Sequence, residues 1–446
     1  MSKFIRLSSL TSLILLTACG SGGGGGDDED NKPPASYSFT VQSLIKNSCG
    51  ETSAYADAQV FLQDENWQVI SEHPVDNEGL VEINSTNDKI NFTILAAYKG
   101  DNGIESYQAV SYYQVDTDIK ATYYATHADK LDNSTCECIT QDVVLSHINS
   151  NNIQNAISSA EFESYELVDG VTTTFKQVES CKVKGQEWAE HSFAVYDLEE
   201  GFVGFHQDFS ATDNGSWQVF DNGSGIAVSF NRKDMNMTTS QIFNQTRHFT
   251  KTALAETNET IIFENHKFSG ETLYSASADF IFKEESSPFG SVSLKSRETV
   301  FSQDYNESLA VKPSEDDENI DYITWAEIEA SGAYDYSKVS KHKMAVISYI
   351  FDAKNPDTEL DMPVLWTSYG PIEGQLPMNT LLPGFEDIVD GDTDIDVTRV
   401  NLLRHHSFDN YQEYINYYTN LGHADVSQQM DKTNDTVHQY FVELVK

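Results

Sequence analysis

From Tyr37 onward the chain alternates apolar and polar residues in short runs broken by Gly, Asn and Asp. Ala58–Leu62 and Trp67–Ile70 are separated by the turn-like Gln63-Asp64-Glu65-Asn66. Leu80–Ile83 follows Asp76-Asn77-Glu78-Gly79, and Ile90–Tyr98 ends in Lys99-Gly100-Asp101-Asn102-Gly103. Successive side chains of a strand point to opposite faces, so this period of two predicts half-buried strands. Their repeat of about ten residues predicts an antiparallel sandwich over 37–148. The stretch Asn149–Ala160 is polar and lacks a period, and 149–171 reads as a linker.

The strand pattern resumes at about Thr172 and continues through Ser192–Tyr196, Phe202–Phe205, Trp217–Phe220, Ile226–Phe230, Thr260–Phe263, Thr272–Phe282, Ser291–Phe301, Tyr322–Ala330 and Met344–Phe351. Asp221-Asn222-Gly223 is a hairpin signal within that series. Pro and Gly gather between the runs, as ladder-forming strands require. One helix is predicted, because Tyr411, Tyr414, Ile415 and Tyr418 fall on one helical face, with Asp409 placed to cap it and Gly422 beyond its end. That tyrosine face is expected to pack on a sheet, and Val437–Val445 to form a closing strand. The expected class is all-β: a small N-terminal sandwich, then a larger antiparallel domain over 172–446 with one short C-terminal helix. A sandwich or open barrel suits the larger domain; a β-propeller of about six blades is the alternative, and no per-blade repeat accompanies it.

Ahead of Tyr37 the pattern changes. Lys3 and Arg6 precede an apolar run from Leu7 to Leu16, about ten residues where a spanning helix needs about 20. Residues 1–18 therefore read as an export signal. Leu16-Thr17-Ala18-Cys19 resembles the lipobox of bacterial lipoproteins, in which the thiol accepts the lipid. The resemblance implies that the mature chain begins at a triacylated Cys19 and is anchored to a membrane. Gly20 in the next position implies the outer membrane, with the body facing the periplasm or the outside. One acyl chain binds marginally, at about 0.8 kcal/mol per buried CH₂, and three hold firmly. Residues 19–36 hold five consecutive glycines, then Asp27-Asp28-Glu29-Asp30 and Pro33-Pro34. This composition is a tether with a reach of about 20 Å.

Within 37–148, Ala58-x-Val60, Asp76-x-x-Gly79-x-Val81 and Ile90-x-Phe92-x-Ile94 resemble carboxypeptidase-regulatory-like (transthyretin-like) modules, which are non-catalytic β-sandwiches. The resemblance implies that Asp76 and Gly79 shape a hairpin. Besides Cys19 there are four cysteines, Cys49, Cys136, Cys138 and Cys181. An even count in an exported chain favours two disulfides. Cys136 and Cys138 face the same side of a strand, so a bridge between them is strained. The scheme expected is one of them to Cys49 and the other to Cys181. The first bridge closes a loop of about ninety residues, worth about 4–5 kcal/mol in the chain-entropy model. Zinc ligation is disfavoured, because Cys136-Glu137-Cys138 has the wrong spacing.

The 446 residues include 28 Lys and Arg against 70 Asp and Glu, a net charge of −42. This excludes unassisted nucleic-acid binding, which depends on cationic side chains displacing counterions. The chain contains no metalloprotease His-Glu-x-x-His, no Gly-x-Ser-x-Gly elbow and no phosphate-binding glycine loop. Ser43 to Lys46 and Ser340 to Lys343 match Ser-x-x-Lys but lack the partner motifs of the penicillin-binding families. The best local cofactor candidate is Asp390, Asp392, Asp394 and Asp396, alternating carboxylates suited to Ca²⁺. An EF-hand starting at Asp392 is excluded by Val397 and Leu403 at its glycine and glutamate positions. His405-His406 would point to opposite faces of a strand, which argues against one shared ion. The reading that follows is an outer-membrane-anchored lipoprotein with a binding or structural role toward a protein or glycan of the envelope. The rival classes are a glycan- or ester-cleaving hydrolase and an acidic adhesion protein bridged by divalent cations.

Overall fold

The computed structural model describes residues 36–445 apart from internal stretches, those of five residues or more being 148–152, 218–224, 231–235, 254–258, 264–271, 303–308, 312–331 and 422–435. The export signal, Cys19 and the tether, all within 1–35, lie outside the described residues.

Eight strands open the fold: β1 (Tyr37–Lys46), β2 (Thr52–Ala54), β3 (Ala58–Gln63), β4 (Val69–Pro74), β5 (Leu80–Ser85), β6 (Lys89–Lys99), β7 (Glu105–Asp116) and β8 (Lys120–Ala125). β1 runs antiparallel to β2 and β5 and parallel to β8. β3 pairs with β4 and β6, and β6 with β7. Alternate residues of the two layers share one core, with Phe39, Val41, Ile83 and Tyr123 among Val60, Phe92, Ile94 and Tyr112. Phe39 and Phe92 lie 4.7 Å apart, and Phe92 stacks on Tyr112 at 4.8 Å. Trp67, expected to begin a strand, instead lies in the β3–β4 turn at φ +63°, and β4 starts at Val69. The Asp64 carboxylate accepts the amides of Asn66 and Gln68, which turns the buried Trp67 indole away from the strand direction.

The next strands are β9 (Cys136–Ser146), β10 (Ile153–Ser158), β11 (Ser164–Leu167), β12 (Thr172–Val183), β13 (His191–Asp197), β14 (Gly201–Phe209) and β15 (Ser216–Trp217). They form two sheets, β11-β12-β9-β15 and β10-β13-β14. Val143, Leu145, Phe175, Val178, Phe193 and Val195 fill the core they share. The stretch expected to be a linker, 149–171, thus carries β10 and β11. A register shift between Ile153 and Asn155 breaks the period of two, and Ile153 and Ala156 still reach the core.

The remaining strands are β16 (Gly225–Phe230), β17 (Asn236–Phe243), β18 (Arg247–Ala253), β19 (Glu259–Phe263), β20 (Thr272–Ser287), β21 (Gly290–Ser302), β22 (Leu309–Val311), β23 (Ala333–Asp335), β24 (Met344–Phe351), β25 (Val364–Pro371), β26 (Glu373–Gln375), β27 (Ile395–His405) and β28 (Thr436–Val445). Twelve strands make one open sheet in the order β18-β17-β20-β21-β28-β27-β24-β25-β7-β6-β3-β4. The class is all-β as expected, and the described strands form neither a closed barrel nor propeller blades. Strands from 37–148 and from 172–446 share this sheet through a parallel β7–β25 pair, Val364 opposite Tyr107 and Tyr369 opposite Tyr112. Backbone pairing therefore runs across the boundary that composition suggested, and Ser36–Lys446 make up one unit. The run Tyr322–Ala330 lies outside the described residues.

The helix, α1 (Tyr411–Leu421), lays Tyr414 and Ile415 into the N-terminal core, with Tyr411 and Tyr418 against its edge. Its cap is Asn410 rather than Asp409. The Asn410 side-chain oxygen accepts the Glu413 amide at 3.2 Å, while the Glu413 carboxylate accepts the Asp409 amide at 2.8 Å. The Asn410 oxygen thus satisfies one of the free amides of the first helical turn, and Glu413 fastens the chain just ahead of the cap. The opposite face of the large sheet carries a second core, including Phe61, Ala109, Ile347, Trp366, Leu402 and Tyr440.

Candidate functional site

The four described cysteines pair as Cys49–Cys136 and Cys138–Cys181, one from the β9 end to each of the other two, as expected. Cys49 sits in the turn after β1, where the Asn47 side-chain oxygen accepts the amides of Cys49 and Glu51. The Ser48 amide donates to Asn133, so polar contacts and the bridge fasten this turn beside the start of β9. Cys138 and Cys181 are directly opposite in the β9–β12 ladder. Cys136 is buried, whereas Cys138 is exposed. Glu179, two residues before Cys181 on the same face, brings a carboxylate oxygen to 3.3 Å from the Cys181 sulfur.

Asp390 and Asp392 lie outside the described residues, and Asp394 and Asp396 are exposed at the entry to β27. His405, the last residue of β27, is buried, and His406, in the turn beyond it, is exposed. Ser43 is fully buried while Lys46, three residues on, lies over the Tyr124 ring. These two side chains leave opposite faces of β1 and cannot act as nucleophile and base. Ser340 lies outside the described residues.

Two buried polar assemblies have no local sequence signature. In the first, the Trp366 ring N–H donates to Ser111 Oγ at 2.8 Å, and Ser111 Oγ meets Thr93 Oγ1 at 2.7 Å. Thr93 donates to Gln63 Oε1 at 2.6 Å, and the Gln63 amide donates to the Trp67 carbonyl at 3.1 Å. Because Thr93 spends its proton on Gln63, Ser111 must donate to Thr93, and the chain runs in one direction across β25, β7, β6 and β3. Trp67 closes it by donating to the Gln375 carbonyl at 2.8 Å. Gln63, Thr93 and Ser111, polar residues at buried positions of three strands, are the only trace this leaves in the sequence.

In the second, His342 Nε2 and His438 Nδ1 are 3.0 Å apart and both rings are buried. One ring must donate to the other, so the accepting ring is neutral at the shared nitrogen. Burial, reinforced by Arg404 and Lys341, pushes His438 down to about 4. Burial and the adjacent His438 hold His342 well below its ordinary value. Glu298 and Arg404 stand opposite His438 on the neighbouring strands, and Tyr440 packs against both imidazoles.

Fold and bridges together define an all-β protein braced by two disulfides. Compared with protein-family models, curated proteins and solved structures, the chain matches none.

Proposed function

We propose that the protein is a lipoprotein of the bacterial outer membrane, held by an acylated Cys19 and a glycine- and acid-rich tether, with a binding or structural role in the cell envelope. The observation that carries this reading is Leu16-Thr17-Ala18-Cys19 behind a short apolar run. Two disulfides support it, since such bridges persist in oxidising, extracytoplasmic compartments. Among the described residues no helix is long and apolar enough to cross a membrane. The resemblance of Ala58–Ile94 to non-catalytic sandwich modules favours a partner-binding over a catalytic role, toward an envelope protein or glycan. Replacing Cys19 with Ser is expected to move the protein from the membrane fraction to the soluble one; continued membrane retention would overturn the anchor. Photo-crosslinkers at the exposed positions Ile70 and Val168 test the partner in intact cells. A discrete protein or glycan adduct supports the binding role, and its absence from both positions speaks against it.

A further inference from the structure

Strand β4 turns two reactive side chains to one face. Ser71 and His73 are separated by one residue, so they share a side of the strand, opposite the buried Leu62 and Val60 of β3. The Ser71 hydroxyl oxygen lies 2.8 Å from His73 Nε2. In the tautomer that carries the imidazole proton on Nδ1, Ser71 donates to Nε2, the arrangement of a nucleophile and its base. Partial burial holds the His73 pKa below its ordinary value, so the ring is neutral and able to accept a proton at neutral pH. Both side chains are half-buried between the exposed Ile70, Glu72 and Pro74, so a reactant reaches them from solvent. The bond joins neighbours on one strand and holds no second element in place. The cross-strand tie is made instead by Gln59, which donates to the Glu72 carboxylate at 3.1 Å.

The backbone beside the pair is open as well. β4 is the last strand of the twelve-stranded sheet and pairs only with β3 among the described strands. The Val75 amide donates to the Ala58 carbonyl of β3, and directions alternate along an antiparallel strand. The amides of His73 and Ser71 therefore face β3, and that of Glu72 points out of the sheet. The next outward position is Pro74, which has no N–H. The N–H of the residue after a nucleophilic serine is well placed to receive the oxyanion that forms on the attacked carbon. We infer that this edge is an ester-hydrolysing site, with Ser71 as nucleophile, His73 as general base and the Glu72 amide as oxyanion donor. The activity goes beyond the binding role and does not rest on it. Because the site is an edge, the substrate it suits is a carboxylic ester carried on an extended polymer. Ser71 Oγ bonds to the acyl carbon as its proton passes to His73 Nε2; the ester C–O bond then breaks, and that proton leaves with the alcohol. Water repeats the sequence on the acyl-serine, which releases the carboxylic acid and returns the proton to Oγ. Among the described residues no carboxylate is hydrogen-bonded to His73, so turnover is slow and covalent capture is the sensitive readout.

The full chain is treated with a fluorophosphonate, which forms a phosphorus–oxygen bond to an activated serine with loss of fluoride, and the modified residue is mapped by mass spectrometry. The expected result is a label at Ser71 that is absent in Ser71→Ala. Its rate should fall about tenfold or more in His73→Phe and in Glu72→Pro. Hydrolysis of p-nitrophenyl acetate, measured in parallel, should fall with it. Proline at position 72 removes no ladder bond, and the three positions lie on an open edge, so urea midpoints should match the wild type. Absence of label at Ser71, or a rate unchanged in His73→Phe, would overturn the site. An unchanged rate in Glu72→Pro would overturn the role of the amide.

Discussion

At Gly79 one missing side chain sets the geometry of a whole turn. Its φ is +74°, and a Cβ placed there would sit 2.3 Å from the Ser43 carbonyl oxygen, which belongs to the backbone of β1. The Gly79 carbonyl accepts the Ser43 amide at 2.7 Å, and the Asp76 side chain accepts the amides of Glu78 and Leu80. Gly79→Ala is therefore expected to cost about 2–3 kcal/mol from backbone strain and forced separation of β1. A lowered urea midpoint checks it. The His342–His438 pair yields a pH prediction. Because its folded-state pKa values lie below the ordinary 6.5, the unfolded chain binds more protons between about 4 and 6.5. The pair's stabilising contribution is complete above pH 6.5 and is lost as the pH falls toward 4, by about 3 kcal/mol for His438 alone. Urea unfolding at pH 7 and pH 5 should show the wild type losing more than a His438→Leu variant. Equal losses would sink the prediction.

Among the elements, α1 was legible because its information is local: four apolar positions within eight residues fix the buried face whatever lies opposite. Its cap lies one residue beyond the expected Asp409, since Asp409 and Asn410 are both good capping types and only the Asn410 side chain accepts the Glu413 amide. The pairing of Cys136 and Cys138 with separate partners was also readable, because same-face neighbours on a strand cannot bridge easily. The donor chain from Trp366 to Gln63 was not. Its members are contributed by four strands, and Ser111 and Trp366 are 255 residues apart in sequence. Ser111→Ala leaves the Trp366 ring N–H and the Thr93 hydroxyl short of a partner inside the sheet. The expected cost is about 1–3 kcal/mol with an unchanged denaturant slope.

For the molecule as a whole, composition placed a break where the backbone has none. The pattern of 37–148 is that of a sandwich, and two facing layers are present, yet one layer continues into β25, β24, β27 and β28. Period-two alternation shows which face of a strand is buried but carries no information about which distant strand lies beside it. A fragment starting at Thr172 is expected to expose the β25 edge and to aggregate, which size-exclusion chromatography would reveal. Removing the Cys49–Cys136 bridge with paired serines should cost about 2–5 kcal/mol, because the loop it closes spans 87 residues and no ladder replaces it.

The parallel β7–β25 pair has a kinetic consequence. Val364 meets Tyr107 only after more than half the chain has been made, and β28 enters between β21 and β27 later still. Such distant pairings are slow to find, and until they form β7 presents bare hydrogen-bonding groups to every neighbour. The newly made chain must therefore be kept apart from its siblings for a long interval. A surplus of 42 negative charges, repelling copy from copy, is suited to guarding that interval.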